Sequence, residues 1–222
     1  CPVGADLDER RRFLHDLVRR TFGATLDDPF FAAFRWPALL KALDVFLDFD
    51  TEQRKTLRDA KVEVDGKLEI PLADASTFTL AGRADRIDWH RDGSATIIDY
   101  KTGRPPGMDE VKVGFAPQLT LEAAMLKRGA FGVTHNSPIK ALYLKLGGRD
   151  GGAVRDLFWK GESFEDVVER HYEGLVALLS SFRLEETGYP ARPYPKFARE
   201  GGDYDHLARV REWSLAGGED GA

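Results

Sequence analysis

Apolar and polar positions change period several times along the chain, and each change predicts an element. From Asp6 to Phe22, the residues Leu7, Phe13, Leu14, Leu17, Val18 and Phe22 recur at helical spacing. Asp28-Pro29 reads as an N-cap followed by proline at the first helical position, and Pro37 opens a helix carrying Leu39, Leu40, Leu43, Phe46 and Leu47. Phe30, Phe31, Phe34 and Trp36 lie between. Such aromatics can stack on bases, but at helical spacing core packing is the stronger expectation, with this segment covering one side of a sheet.

Alternation takes over at Lys61 to Leu72, which predicts a hairpin turning at Asp65-Gly66. It returns in Gly82 to Trp89 and Thr96 to Lys101, two strands of an antiparallel hairpin around His90-Arg91-Asp92-Gly93-Ser94. Arg104-Pro105-Pro106-Gly107 stops the second strand. Phe115-Ala116-Pro117 then opens a helix running to about Lys127, with Gln118 and Glu122 on one face and Leu119, Ala123 and Leu126 turned inward. Pro138 to Leu146 is a strand, Gly147 to Gly152 a turn, and a second strand runs on through Trp159. Ser163 caps the clearest helix, through Phe182, on which His171 and Tyr172 read as packing residues.

The register of the middle hairpin decides its chemistry, because a slip of one residue turns every side chain to the other face. A two-residue turn at Asp92-Gly93 would set Asp85 against Tyr100. A three-residue loop, Arg91-Asp92-Gly93, with glycine at the left-handed position of a bulge sets Asp85 directly opposite Asp99, and this is the register we expect. Apposed like charges destabilise a sheet, so a bridging cation belongs to such a site. Asp99 and Lys101, two apart, share a face with the Tyr100 carbonyl between them, their Cα atoms roughly 7 Å apart. Two carboxylates and a carbonyl are hard oxygen donors suited to Mg²⁺ or Mn²⁺. A lysine beside the ion can position a water or neutralise charge building on a phosphoryl group. The chemistry this spells is metal-assisted phosphodiester hydrolysis.

Asp85 followed by Asp99-Tyr100-Lys101 resembles the two-part signature of the PD-(D/E)XK nuclease superfamily. Gly82-Arg83-Ala84-Asp85-Arg86-Ile87-Asp88 with Ile98-Asp99-Tyr100-Lys101-Thr102-Gly103 is similar to its RecB-like branch, most of all to the nuclease domain that ends AddB-type subunits of bacterial helicase-nucleases. The resemblance implies an α/β fold, a central mixed sheet flanked by helices. It implies a Mg²⁺- or Mn²⁺-dependent deoxyribonuclease acting on DNA, with single-stranded ends as substrate and a helicase-nuclease partner subunit in double-strand break resection. It makes Asp85, Asp99, Lys101 and Gln118 catalytic candidates. Arg12-Phe13-Leu14-His15-Asp16-Leu17 resembles the family's first motif, which adds His15 to Asp85, Asp99 and Tyr100 as a metal ligand. Without the resemblance, His15 reads as a half-buried surface histidine and Gln118 as a surface residue. Glu122 stands where RecB-type members often carry tyrosine, so its role stays open. Glu63, a further acidic candidate, stays outside the primary site.

Composition narrows the picture without announcing a nuclease. With 222 residues, 42% hydrophobic content and a formal charge of −5, the chain can build one good core and cannot coat nucleic acid by bulk charge. Local arginines such as Arg10, Arg11, Arg12, Arg19 and Arg20 would make phosphate contacts instead. One cysteine, Cys1, excludes an internal disulfide and fits a reducing cytoplasm, and no apolar run has the length of a membrane span. The opening Cys-Pro-Val, with no methionine, suggests a piece of a longer protein. We expect a nuclease domain over residues 1–184 and a C-terminal extension over 185–222, held by Tyr194, Phe197, Tyr204, Leu207 and Trp213. Related nucleases clamp this region with four cysteines around an iron-sulfur cluster; none of the four is present, so no cluster is expected. Two other readings fit the same residues. One is a catalytically silent PD-(D/E)XK module that binds DNA or serves structure, and the other is an unrelated scaffold with a structural ion-pair cluster.

Overall fold

The alternating stretches pair into one mixed sheet whose middle is covered on both sides. The computed structural model describes residues 6–188. In chain order the elements are α1 (Leu7–Phe22), α2 (Trp36–Thr56), β1 (Leu57–Pro71), β2 (Thr77–His90), β3 (Ala95–Lys101), α3 (Met108–Lys112), α4 (Gln118–Lys127), β4 (Ile139–Leu146), β5 (Gly152–Asp156) and α5 (Phe164–Ser181). The strands lie in sequence order β1-β2-β3-β4-β5. Only β3 and β4 run parallel, since α3 and α4 cross between them; the other neighbours are antiparallel.

Side-chain alternation sends Ile87, Trp89, Ala95, Ile97, Ala141 and Tyr143 into one core with Leu119, Ala123 and Leu126 of α4 and Val167 and Val168 of α5. Ile98, Leu142 and Leu144 enter a second, smaller core with Phe49 of α2, flanked by Val45, Phe46 and Tyr100. Covered twice, β2 is buried continuously from Arg86 to His90, while its first residues stay largely exposed. The expected α/β architecture is the one observed.

Four expectations change. Lys61 to Leu72 does not turn at Asp65-Gly66: β1 runs straight through and pairs with β2 from Asp59↔Trp89 to Pro71↔Thr77. Gly66 is a contact point instead, where any Cβ would lie 2.5 Å from the ring of Phe131. The chain reverses later, at Ala73-Asp74-Ala75. Leu72 N–H bonds Ser76 O at 2.9 Å, and Ala75 holds the left-handed position at φ 64°. Secondly, the α1 stripe meets no deep core. Leu7 and Leu17 are exposed, and the one fully buried α1 residue is Arg10, held by Asp50 of α2.

Thirdly, Phe30 and Phe34 are not core: they are 61% and 67% exposed, their rings 5.1 Å apart. Phe30 precedes and Phe34 lies within a π-helical turn, Phe31–Arg35, after which Trp36 N–H donates to Phe31 O. Pro37 explains the widened turn, because it has no N–H to continue the α-helical ladder. Lastly, the strand expected through Trp159 ends at Asp156. Trp159 buries its ring and donates from Nε1 to Met108 O at 3.3 Å. The anticipated C-terminal packing of Tyr194, Phe197, Tyr204, Leu207 and Trp213 lies outside the described residues, as does Cys1.

Candidate active site

The β2–β3 hairpin closes as the bulged three-residue loop requires. His90 N–H donates to Ser94 O at 2.9 Å, Gly93 N–H donates to His90 O at 3.1 Å, and Gly93 sits at φ 89°. Asp92 secures the turn by accepting from Ser94 N–H at 2.9 Å. The pairing Arg86↔Ile98 to Trp89↔Ala95, extended by one residue, sets Asp85 across from Asp99. There the backbone ladder stops. Tyr100 N–H, due to pair with β2, donates instead to Asp85 Oδ2 at 2.9 Å. Within a strand the N–H and C=O of one residue face the same neighbour, so the Tyr100 carbonyl points to the side where the ladder has ended. Its ring turns to the opposite face, 6.2 Å from Phe46.

Asp99 is 2% exposed and densely contacted. Its Oδ1 accepts from Lys101 Nζ at 2.9 Å and from Gln118 Nε2 at 2.7 Å. Lys101 Nζ is also 2.8 Å from Oδ2, but out of bonding alignment, so Oδ2 is charge-paired and accepts no hydrogen bond. Lys101 Nζ donates to Gln118 Oε1 at 3.3 Å, and Gln118 Nε2 donates to Glu122 Oε1 at 3.1 Å. Helix α4 presents Gln118 and Glu122 one turn apart because Leu119, Ala123 and Leu126 bury the adjoining face. Burial pushes the Asp99 carboxyl above its ordinary value, and the Asp85 charge adds to that, against the opposing effects of Lys101 and Gln118. Glu122 is driven further, to about 7, by burial first and by the Asp99 and Asp85 charges, with Gln118 and Lys101 opposing.

Five of the expected residues therefore converge: Asp85, Asp99, Tyr100, Lys101 and Gln118. No hydrogen bond or ion pair links His15 to them. It rides on α1, which packs on α2 and is tied there by Arg10 to Asp50 and by Arg11 to Asp44 at 2.9 Å. Among the described residues, no group of three His, Cys, Asp or Glu side chains is gathered closely enough to hold a metal ion. Three buried polar atoms of the cluster nonetheless lack a hydrogen-bond partner, Asp99 Oδ2, Glu122 Oε2 and Tyr143 Oη, as does His15 Nε2 on α1. A hard divalent cation fits the donor set of Asp85, Asp99 and the Tyr100 carbonyl, and Asp99 Oδ2 has a lone pair to give it. Glu63 turns away, at φ 53°, to Arg83 at 2.8 Å.

Sequence reasoning overlooked Tyr143, which lies on the strand read over Pro138 to Leu146. Parallel pairing Asp99↔Tyr143 lays it beside Asp99, and Lys101 Nζ stands 5.9 Å from its ring centre. Burial, with the Asp99 and Glu122 charges, raises its phenol above the ordinary value. A crossover connection of this length gives no register from sequence, so no local signal named it.

The sequence pattern describing the PD-(D/E)XK nuclease superfamily matches residues 2–202. An uncharacterized protein of Rickettsia bellii (strain RML369-C) is 33% identical over an alignment of 169 residues that covers 69% of this chain and 20% of that protein. One from Rickettsia felis (strain ATCC VR-1525 / URRWXCal2) is 34% identical over 105 residues, 47% of this chain and 12% of that protein. The chain thus spans a fifth or less of the length of these relatives. A solved structure titled SSO0001 aligns at 17% identity and a TM-score of 0.36, covering 76% of this chain and 70% of that one.

Proposed function

The chain belongs to the PD-(D/E)XK nuclease superfamily, and on that premise we propose that it is a Mg²⁺- or Mn²⁺-dependent deoxyribonuclease that cuts single-stranded DNA ends. One observation carries the reading: Asp85 and Asp99 oppose each other where the ladder ends, with Asp99 Oδ2 accepting no hydrogen bond and one ammonium, Lys101, beside the Asp99 carboxylate.

In this reading Asp85, Asp99 and the Tyr100 carbonyl hold the ion, with His15 the further ligand proposed from α1. The bound ion supplies Lewis-acid polarisation of the phosphoryl group and a water of lowered pKa. Lys101 neutralises charge as it builds on the phosphoryl oxygens, a role that requires the ammonium to be aimed before substrate arrives. Gln118 does the aiming, since its Oε1 receives the ammonium while its Nε2 grips Asp99. Tyr100 N–H keeps Asp85 from rotating away.

Because the relatives are several times longer, we place the domain in a larger helicase-nuclease of the cytoplasm, acting in break resection with a motor subunit that threads one strand to the site. Linked delivery raises local strand concentration at a domain whose net charge of −5 does little to attract DNA. The test is cleavage of an end-labelled single strand with Mn²⁺ and with EDTA, parent against Asp99→Ala. Metal-dependent cutting by the parent alone supports the reading. Mn²⁺ binding without cutting, under conditions where DNA binds, would instead favour the catalytically silent module.

A further inference from the structure

Both N–H groups and the carbonyl of the Gln118 amide have partners. An amide offers two N–H donors and a carbonyl acceptor; here Nε2 donates to Asp99 Oδ1 at 2.7 Å and to Glu122 Oε1 at 3.1 Å, while Oε1 accepts from Lys101 Nζ at 3.3 Å. The flipped amide would turn its oxygen on two carboxylates and its nitrogen on an ammonium, so one orientation is enforced. Glu122 is half of that enforcement. It is 5% exposed, lies next to the α4 face that buries Leu119, Ala123 and Leu126, and its Oε2 has no partner. A carboxylate in that position destabilises the fold relative to an apolar side chain of similar size. Stability does not account for it.

We propose that Glu122 is a positioning residue: through the Gln118 amide it holds Asp99 and Lys101 in fixed relation to one another. Remove its acceptor and one N–H of Gln118 is left loose, the amide gains a second orientation, and the ammonium loses its amide acceptor, one of two, for part of the time. Binding of a strand elsewhere on the surface does not depend on this link, so the effect falls on kcat rather than on KM. The kinetic part rests on the nuclease reading; the spectroscopic part does not.

The test compares Glu122→Leu, which removes the acceptor at similar volume, with Glu122→Gln, which keeps an oxygen within reach of Gln118 Nε2. With a labelled single-stranded oligonucleotide and Mn²⁺, Glu122→Leu should lose about tenfold in kcat with KM unchanged, the scale of one charge-assisted hydrogen bond. Glu122→Gln should recover most of that loss, and in a Gln118→Ala background Glu122→Leu should cost nothing further. Independently, hydrogen exchange at the Gln118 side-chain amide should be slow in the parent and Glu122→Gln, and faster in Glu122→Leu. A parental rate in Glu122→Leu, an equal loss in the Gln118→Ala background, or exchange alike in all three proteins would overturn the proposal. Glu122→Met repeats the comparison should the leucine variant fail to fold. A parent that never cuts would defeat the nuclease reading, and the exchange measurement would still decide the role of Glu122.

Discussion

Two charged clusters stand back to back on the same hairpin, one residue out of phase. On the α2 face, Arg86 grips Asp88 through two bonds of 2.6 and 2.8 Å and reaches Asp50 at 2.9 Å, while Asp50 also meets Arg10 and Arg54. On the α4 face stand Asp85, Asp99, Lys101, Gln118 and Glu122. The first cluster sets three guanidinium groups against two carboxylates, and every carboxylate oxygen in it is bonded. The second sets one ammonium against three carboxylates and leaves Asp99 Oδ2 and Glu122 Oε2 without hydrogen bonds. Asp50 and Asp99 are both buried, yet their carboxyls move in opposite directions. For Asp50 burial is the largest single influence and raises it, but Arg54 and Arg86 together outweigh burial and hold it below its ordinary value. For Asp99 the balance runs upward. Equal burial with unequal pairing separates a cluster whose carboxylates are satisfied within the fold from one left short of positive charge.

The largest effects should come from emptying the deficient cluster. Asp99→Ala and Asp85→Ala should each lower Mn²⁺-dependent cleavage at least roughly 10³-fold, on the scale of lost electrostatic catalysis, with the circular-dichroism spectrum and melting temperature kept. Retained cutting in either variant would remove that residue from the site.

The paired cluster should answer in stability. Asp88 projects to the face opposite Asp85, which sequence alone would make a harmless control, but it is fully buried and bonded to Arg86. Asp88→Ala leaves Nε and Nη2 of that buried guanidinium without acceptors, Asp50 still pairing with Nη1, and should cost up to roughly 3–5 kcal/mol of unfolding free energy, read from urea denaturation. An unchanged urea midpoint would erase the contrast between the two clusters.

Acidity offers a finer probe. Glu122 is raised from 4.5 to about 7, so the folded state holds its proton more tightly than the unfolded chain. The associated stability is present below pH 4.5 and is lost as pH climbs through 7. Metal-free protein should therefore become less stable between pH 4.5 and 7, with Asp99 adding a slope of the same sign. Glu122→Gln should flatten that decline and be the more stable protein at pH 8, by about 3 kcal/mol at most. A parental slope in Glu122→Gln, measured by thermal melting across pH, would contradict the assignment.

The smallest effect concerns His15. If its unpartnered Nε2 serves the deficient cluster, His15→Ala should weaken Mn²⁺ affinity about 10-fold or more, in the range of lost metal-site interactions. Titration calorimetry reads this, and excess Mn²⁺ should restore cutting. Unchanged affinity would leave the ion to the oxygen donors.

Two hairpins show what was legible and what was not. Both reverse through three residues with the third in the left-handed region: Arg91-Asp92-Gly93 and Ala73-Asp74-Ala75. Glycine announces the first, and with it the register that opposes Asp85 to Asp99. Alanine hides the second, and Asp65-Gly66 offered a false turn in its place. The reason is that glycine serves two purposes, reversal and close approach, and only the ring of Phe131 lying on Gly66 tells them apart.

Local rules reach as far as neighbours in sequence. Period and turn chemistry determined that Asp99 and Lys101 share a face, that Asp85 crosses to Asp99, and that Gln118 and Glu122 stand one helical turn apart, because each relation spans one strand, one hairpin or one helix. Tertiary structure alone decided that α4 lays its amide on Asp99, that Tyr143 arrives beside it, that Arg10 spends its charge on Asp50 rather than on phosphate, and that Phe30 and Phe34 stay in solvent. Those outcomes depend on which faces of distant elements meet, and burial, which sets both the acidity of a carboxylate and its need for a partner, exists only once they have met.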